Sequence, residues 1–129
     1  MSQYQVTVIG SGPGGYIAAI RCAQLGMKVA IVEKYAVLGG TCTNVGCIPS
    51  KALLDSSEHY EAAAHKFTEH GIEVKGISFN FKTMVERKNG VVKANNDGIA
   101  FFLFINKIDV HYALCSFVTK NKIAITYAA

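Results

Sequence analysis

Two cysteines five positions apart, Cys42 and Cys47, are the residues whose types and spacing point most directly to chemistry. On an ideal helix their Cα atoms would lie about 8 to 9 Å apart, whereas a disulfide requires a separation below about 7 Å. We therefore expect a distorted first helical turn, where Gly46 gives the backbone that freedom. A strained disulfide at a helix N-terminus is easily reduced, and the helix dipole stabilises the resulting thiolate.

Two other interpretations of this cysteine pair stay open, namely buried free thiols and one half of a zinc site. Zinc would need two more protein ligands. The four histidines show no matching cluster in the sequence: His59, His65, His70 and His111. Cys22 is predicted to be a small core residue of a helix. In a chain without an export signal, a closely spaced pair is more typical of catalysis or metal binding than of a structural disulfide.

A second group of residues, the glycine loop of residues 10–15, has the spacing Gly10-x-Gly12-x-x-Gly15. The first glycine permits a tight turn, the second lets backbone approach a pyrophosphate, and the third lets helix and strand pack closely. Pro13 opens the helix without losing a needed donor, and the helix N-terminus attracts phosphate. Glu33 follows Gly15 by 18 residues, where a ribose-binding acid is expected. Alone, this glycine pattern also fits an ordinary glycine-rich turn. Its position between a strand and a helix favours a dinucleotide-binding loop.

The elements that must position these residues form a βαβ unit at the start of the chain. An apolar strand at residues 6–9 leads into the glycine loop, a helix follows, and Gly26 is placed to end it. A second apolar strand covers residues 29–32. Short, wholly apolar strands are typical of a parallel sheet covered on both faces. We predict an α/β, Rossmann-like domain with helices on both faces of a parallel sheet.

Weaker signals organise the remainder of the chain. They predict a helix from about Thr41 to residues 62–64, a break at His70 and Gly71, and short extended pieces at residues 72–74 and 77–79. A further helix is predicted for residues 82–104, followed by strands at residues 108–112 and 123–127.

Composition excludes several classes of protein. The chain has 129 residues, of which 50% are apolar and 17% charged, so we expect one globular domain. Its net charge of +4 comes from scattered lysines without stacking aromatics, which argues against nucleic-acid binding. The longest apolar run, residues 99–105, is far below the about 20 residues that span a bilayer. With no recognisable targeting segment, we expect a cytoplasmic protein without a membrane partner.

Three features together resemble the pyridine nucleotide–disulfide oxidoreductase family: the glycine loop, Glu33 and the segment GGTCTNVGCIPSK at residues 39–51. The continuation to residue 57 is most similar to the bacterial dihydrolipoamide dehydrogenases of that family. The resemblance implies an FAD cofactor, with Cys42 exchanging with substrate and Cys47 lying against the flavin. It also implies these cofactor contacts: Gly10, Gly12, Pro13, Gly14 and Gly15 at the pyrophosphate, Glu33 with its neighbour Lys34 at the adenosine ribose, Gly40, Thr41, Cys42 and Lys51 at the flavin, and Cys115 at the adenine.

The same resemblance implies a reaction and partners. Dihydrolipoamide dehydrogenases oxidise dihydrolipoyl groups on acyltransferase cores and reduce NAD. The implied partners are therefore the lipoyl domains of 2-oxo acid dehydrogenase complexes and, for the full-length protein, a second subunit in a homodimer. Two alternatives stay open: the FAD domain of another disulfide reductase, similar to mercuric or glutathione reductase, and an inactive flavin-binding or redox fragment.

The sequence also departs from the family pattern. Residues 1–129 contain no second G-x-G-x-x-G, so we expect the N-terminal part of an FAD-binding domain without the NAD-binding and dimerisation domains. No histidine matches the family's catalytic histidine, which belongs to the dimerisation domain. Ala113 and Cys115 stand where two small residues, often glycines, are usual. Phe104 and Ile105 replace expected polar residues, which predicts an exposed apolar helix end.

Overall fold

The computed structural model describes residues 2–127, and a four-stranded sheet is its centre. The strands are β1 (Val6–Ile9), β2 (Val29–Glu33), β3 (Asp109–Thr119) and β4 (Lys122–Tyr127), in the order β1-β2-β3-β4. β1 pairs with β2 in parallel, with Val6 opposite Val29, and β2 pairs with β3 in parallel. The predicted βαβ unit is therefore confirmed.

β4 departs from the predicted parallel arrangement, because it pairs antiparallel with β3 as the second arm of a hairpin. The reversal needs only the two residues between Thr119 and Lys122, whereas a parallel neighbour would need a long crossover. The sheet is therefore mixed. Its α/β class and Rossmann-like βαβ beginning agree with the prediction.

The first helix, α1 (Pro13–Gln24), begins and ends as its sequence predicts. Pro13 stands in its first turn, where a missing N–H costs nothing. Gly26 adopts a left-handed conformation, φ 85°, directly after the C-cap residue Leu25. The amide of Met27 donates to the carbonyl of Cys22 at 3.2 Å, which closes the helix end.

The cysteine segment of residues 39–51 forms two helices, not the single helix predicted from Thr41. α2 (Gly40–Asn44) ends before Val45, and α3 (Cys47–Glu61) begins after Gly46. The amides of Val45 and Gly46 both donate to the Thr41 carbonyl, at 2.9 and 2.8 Å. The predicted distortion at Gly46 is therefore present as a complete break.

After α3 the chain continues as a π-helical turn (Ala62–Lys66) and a 3₁₀ turn (Phe67–His70). Gly71, with φ 73°, ends this stretch at the predicted break. Residues 72–80, which include the two predicted extended pieces, form no strand and lead to the next helix without regular structure.

The longest helix, α4 (Phe81–Ile105), matches the prediction within a residue at each end. The Asn80 side chain caps it by accepting from the amide of Thr83 at 3.2 Å. At its other end Phe104 is 77% exposed, as expected for the apolar helix end. No helix among residues 2–127 combines the length and apolar character that a membrane crossing requires.

The core lies between one face of the sheet and the helices α1 and α4. Its buried members are apolar: Ala19, Val29, Ile31, Leu38, Ile99, Leu103 and Ile108. Val6, Val8 and Val110 pack against this cluster from the sheet. On the opposite face of β1, Thr7 and Ile9 are exposed. The central strand β2, in contrast, is buried along its whole length, Ala30 and Val32 included.

Candidate dinucleotide and redox site

The glycine loop brings the backbone of α1 and β1 into direct contact. A Cβ atom added to Gly15 would lie 2.0 Å from the carbonyl oxygen of Gly10 and 3.5 Å from a methyl group of Val8. Gly10 has φ 93°, and its amide donates to the Val32 carbonyl of β2 at 2.7 Å. The predicted reasons for two of the three glycines are therefore visible as a tight turn and a close packing contact.

The N-terminus of α1 has open space in front of it. Cβ atoms added to Gly12 or Gly14 would meet nothing within 4 Å. The first backbone hydrogen bond of the helix runs from the Tyr16 amide to the Gly12 carbonyl at 3.0 Å. The amides of Gly14 and Gly15 precede it and have no acceptor within the helix. Together with the helix dipole, this geometry fits a pyrophosphate group.

Glu33, at the end of β2, is held by hydrogen bonds from the glycine loop. Its Oε2 atom accepts from the Ser11 amide at 2.9 Å and from the Ser11 hydroxyl at 2.6 Å. Its Oε1 atom accepts from the Tyr35 amide at 3.0 Å. Glu33 is 4% exposed and Ser11 is fully buried. The carboxylate is therefore a fixed part of the loop and not a solvated strand end.

The hydrogen bonds to Glu33 decide its protonation state. Burial alone raises the pKa of this carboxyl, but the Ser11 hydroxyl and the amides of Tyr35, Ser11 and Lys34 lower it, and the net shift is downward. Glu33 is therefore an anion at neutral pH, able to accept hydrogen bonds from ribose hydroxyls.

We expect Glu33→Gln to reduce the loss of stability in acid. The folded-state pKa lies below the unfolded value of about 4.3, so the carboxylate stabilises the folded chain above that pH. This contribution disappears as the pH falls through the folded-state pKa. At pH 7 the variant should lose about 2 kcal/mol of unfolding free energy, because a glutamine nitrogen cannot accept from Ser11.

Urea unfolding at pH 7 and at about pH 3 measures this effect, because the difference between wild type and Glu33→Gln should shrink at the lower pH. Glu69→Gln, which changes an exposed glutamate of the 3₁₀ turn, is the matched control. An equal difference at both pH values would contradict the assigned role of the Glu33 charge.

A second glycine pair joins the cysteine segment to the glycine loop. The Gly39 amide donates to the carbonyl of Ser11 at 3.0 Å and to its hydroxyl at 3.2 Å. Gly40 has φ 61°, and a Cβ atom there would lie 2.8 Å from the Cα atom of Gly12. Only glycine allows this approach. Helix α2, which carries Cys42, therefore begins in contact with the predicted phosphate-binding loop.

Cys42 and Cys47 lie on either side of the break between α2 and α3, with Cys42 half-buried and Cys47 exposed. The neighbouring Cys47 side chain is the largest cause that raises the pKa of Cys42; burial adds to this effect, and the charge of Lys51 lowers the pKa by less. Both cysteines are free thiols in the structure, so the disulfide remains a prediction. Among residues 2–127 no three metal-ligating side chains form a cluster.

A cavity of about 340 Å³ lies between the glycine loop, the end of β2, the start of α2 and strand β3. Seven of the predicted cofactor residues line it: Gly10, Gly12, Glu33, Lys34, Gly40, Thr41 and Cys115. The other predicted residues are outside its lining: Pro13, Gly14, Gly15, Cys42 and Lys51. A volume of this size suits one moiety of a dinucleotide. The structure thus brings Glu33, Lys34 and Cys115 around one cavity with Gly40 and Thr41, two of the four residues predicted for the flavin end.

Six residues that line this cavity were not among the predicted cofactor residues: Ile9, Ser11, Val32, Tyr35, Ala113 and Leu114. Ser11 has the clearest function, because it connects Glu33 with Gly39. Its position between Gly10 and Gly12 is the sequence feature that could have indicated this function. A larger cavity of about 680 Å³ lies elsewhere, beside Tyr4, His111 and Tyr127, and contains neither the glycine loop nor the cysteine pair.

Comparison with known proteins agrees with this geometry. A family model described as pyridine nucleotide-disulphide oxidoreductase matches residues 4–129. Dihydrolipoyl dehydrogenase of Manduca sexta is 51% identical over 120 residues, covering 93% of this chain and 24% of that protein. The mitochondrial dihydrolipoyl dehydrogenase of Mus musculus is 51% identical over 125 residues, covering 95% and 24%. This chain belongs to the pyridine nucleotide-disulphide oxidoreductase family.

A solved structure supports the same assignment at the level of the fold. The Cu(II) complex of the HOCl-induced flavoprotein disulfide reductase RclA from Escherichia coli superimposes with a TM-score of 0.75 and 28% sequence identity. The match covers 94% of this chain and 24% of that one. The chain therefore spans about a quarter of the length of these relatives.

Proposed function

We propose that this chain is the N-terminal FAD-binding and redox-cysteine portion of a dihydrolipoyl dehydrogenase. The observation that carries the proposal is the position of the cysteine pair: Cys42 follows Gly40 and Thr41 of the cofactor cavity on α2, and Cys47 begins α3 after the break at Gly46. A thiol pair beside a dinucleotide pocket is suited to moving two electrons between a dithiol and a cofactor. The relatives named dihydrolipoyl dehydrogenase support this choice of substrate class.

The described geometry fits FAD in its adenosine and pyrophosphate parts. We assign the pyrophosphate to the open N-terminus of α1 and the ribose to Glu33, whose carboxylate is anionic and faces the cavity. Cys115 and Lys34 line the same cavity and are assigned to the adenosine end. The flavin end is assigned to Thr41, Cys42 and Lys51 from the family resemblance.

The redox step transfers two electrons and two protons from a dithiol to the Cys42–Cys47 disulfide. A substrate thiolate attacks Sγ of Cys42, the Sγ–Sγ bond breaks, and Cys47 leaves as the thiolate. The second substrate thiol then attacks the mixed disulfide and releases Cys42. The substrate becomes a disulfide and the enzyme pair becomes a dithiol. Held by the glycine loop, Glu33 and the residues assigned to the flavin end, FAD would supply the acceptor for this electron pair.

Further proposals concern the whole protein. Residues 1–129 are the N-terminal part of its FAD-binding domain, and its NAD-binding and dimerisation domains lie outside them. We assign lipoyl domains of 2-oxo acid dehydrogenase complexes as partners and a homodimer as the assembly. The cytoplasmic location expected from the sequence stays a proposal. The alternative is a mitochondrial location, which is part of the name of relatives such as the Schizosaccharomyces pombe enzyme. Subcellular fractionation distinguishes the two locations.

An anaerobic reduction experiment tests the proposed function. We expect the purified chain to retain added FAD through gel filtration and to transfer one electron pair from dihydrolipoamide to it, seen as loss of flavin absorbance. With NAD added, sustained NADH formation should be absent. The nicotinamide site is assigned to another domain, and so is the general acid–base residue, which typically accelerates a reaction by about 10²- to 10⁴-fold.

Cys47→Ser is the matched variant for this experiment, since it keeps the glycine loop and removes the exchange partner of Cys42. This variant should retain FAD, but dihydrolipoamide should no longer cause the loss of flavin absorbance. A chain that retains no flavin, or a variant that bleaches at the wild-type rate, would contradict the assignment. Steady NADH production by the wild-type chain would show that the proposed domain division is wrong.

A further inference from the structure

A second side-chain link connects the cysteine segment with the core helix α4. The Nδ2 atom of Asn44 donates to the carbonyl oxygens of Leu38 and Gly40, at 2.8 and 2.9 Å. Its Oδ1 atom accepts from Nδ2 of Asn96, on α4, at 2.9 Å. Asn44 thereby connects the turn before Cys42 to a helix that is 52 residues away in sequence.

The lengths of the two helices decide which one positions the other. α2 has five residues, too few to hold a stable helical conformation by itself. α4 has 25 residues, and Ile99 and Leu103, in the turns after Asn96, are buried in the core. The hydrogen bond therefore transmits the position of the core helix to α2.

Within the described part of the chain, the side-chain oxygen of Asn96 makes no hydrogen bond that would add to the stability of the fold. Its Oδ1 atom is buried and has no hydrogen-bond partner among residues 2–127. A buried acceptor without a partner is destabilising, because in the unfolded chain water would donate to it. On folding, the Asn96 side chain therefore gains the hydrogen bond to Asn44 and loses the one that its oxygen made with water. Among the described residues, Asn96 therefore makes one side-chain hydrogen bond, the one to Asn44.

We propose that Asn96 is a positioning residue for the Cys42–Cys47 pair and acts through Asn44. This inference rests on the proposed redox function of the two cysteines. Without the hydrogen bond, α2 samples positions in which the thiols are farther apart. Their effective concentration then falls, and the disulfide becomes easier to reduce.

A thiol–disulfide equilibrium measures this effect in the purified 129-residue chain. In mixtures of oxidised and reduced dithiothreitol, the Sγ–Sγ bond forms while the S–S bond of the reagent breaks, and two electrons and two protons pass to the reagent. Alkylation and mass spectrometry of the peptides with Cys42 and Cys47 give the disulfide fraction. For Asn96→Leu, which keeps the shape of the side chain, we expect the equilibrium to shift about threefold to tenfold toward the dithiol.

Asn95→Leu is the matched control, because the exposed Asn95 side chain donates only to the Val91 carbonyl of its own helix. The control should keep the wild-type equilibrium, and both variants should keep similar urea unfolding midpoints. If Asn96→Leu does not fold, Asn96→Ala replaces it with the same expectation.

The outcomes distinguish the inference from the proposed function. A shift confined to the Asn96 variant supports the positioning role. A wild-type equilibrium in both variants, or an equal shift in both, overturns that role and leaves the redox function intact. If the wild-type chain forms no Cys42–Cys47 disulfide in any mixture, the proposed function and the inference both fail.

Discussion

Replacing Cys42 by serine should abolish intramolecular disulfide formation in this chain completely. Of the four cysteines, Cys42 and Cys47 are the two that lie on either side of the short break between α2 and α3. Cys22 lies in α1 against the core, and Cys115 lies in β3 beside the cofactor cavity. Neither can replace Cys42 as the partner of Cys47 without rearrangement of these elements, because a disulfide needs Cα atoms within about 7 Å.

Incubation with excess oxidised dithiothreitol, followed by alkylation and mass spectrometry, measures this loss. The wild-type chain should lose two alkylation sites, at Cys42 and Cys47, whereas Cys42→Ser should keep Cys47 alkylated or joined to the reagent. Cys22→Ser is the matched control and should form the disulfide as the wild type does. A Cys22–Cys115 disulfide in the wild-type chain would contradict the assignment of the redox pair.

Gly15→Ala should produce the largest loss of stability among the glycine-loop variants. The added Cβ would lie 2.0 Å from the Gly10 carbonyl oxygen, and this oxygen is backbone that cannot rotate away. Relief requires α1 to move away from β1, which disrupts the contact of Ala19 with the core. Overpacking of this kind costs about 3 kcal/mol, and movement of the helix N-terminus should also abolish FAD retention.

Gly14→Ala provides the control from the adjacent position. A Cβ atom there meets nothing within 4 Å, and alanine favours helix over glycine by up to about 1 kcal/mol. Urea unfolding should therefore show a lower midpoint for Gly15→Ala and an unchanged or higher one for Gly14→Ala. Equal midpoints in the two variants would show that the close helix–strand contact does not determine stability here.

Much of the fold could be predicted because its signals are local. Strand β1, the glycine loop and α1 follow one another within 20 residues, and each boundary carries a residue with one clear backbone function, such as Pro13 or Gly26. The 25 residues of α4 were predictable for the same reason, since a helical periodicity of apolar residues is read from the chain itself. The distortion between Cys42 and Cys47 followed from bond geometry alone.

Other features depend on which elements the core brings together. The sequence does not state that Ser11 donates to Glu33, 22 residues away, or that Asn96 donates to Asn44. Serine and asparagine side chains find partners in most loops and helices, so their types do not select a partner. The contact appears only after apolar residues have packed α1 and α4 on the sheet.

Three features of the candidate site could be read from residue types and spacing alone: the glycine loop, the acid at residue 33 and the cysteine pair. The tertiary structure decided how these parts are joined. Ser11 connects the glycine loop, Glu33 and Gly39, and Asn44 connects the cysteine helix to α4. The physical reason is that backbone conformation is set by neighbours along the chain, whereas polar partners in the interior are chosen by the packing of the hydrophobic core.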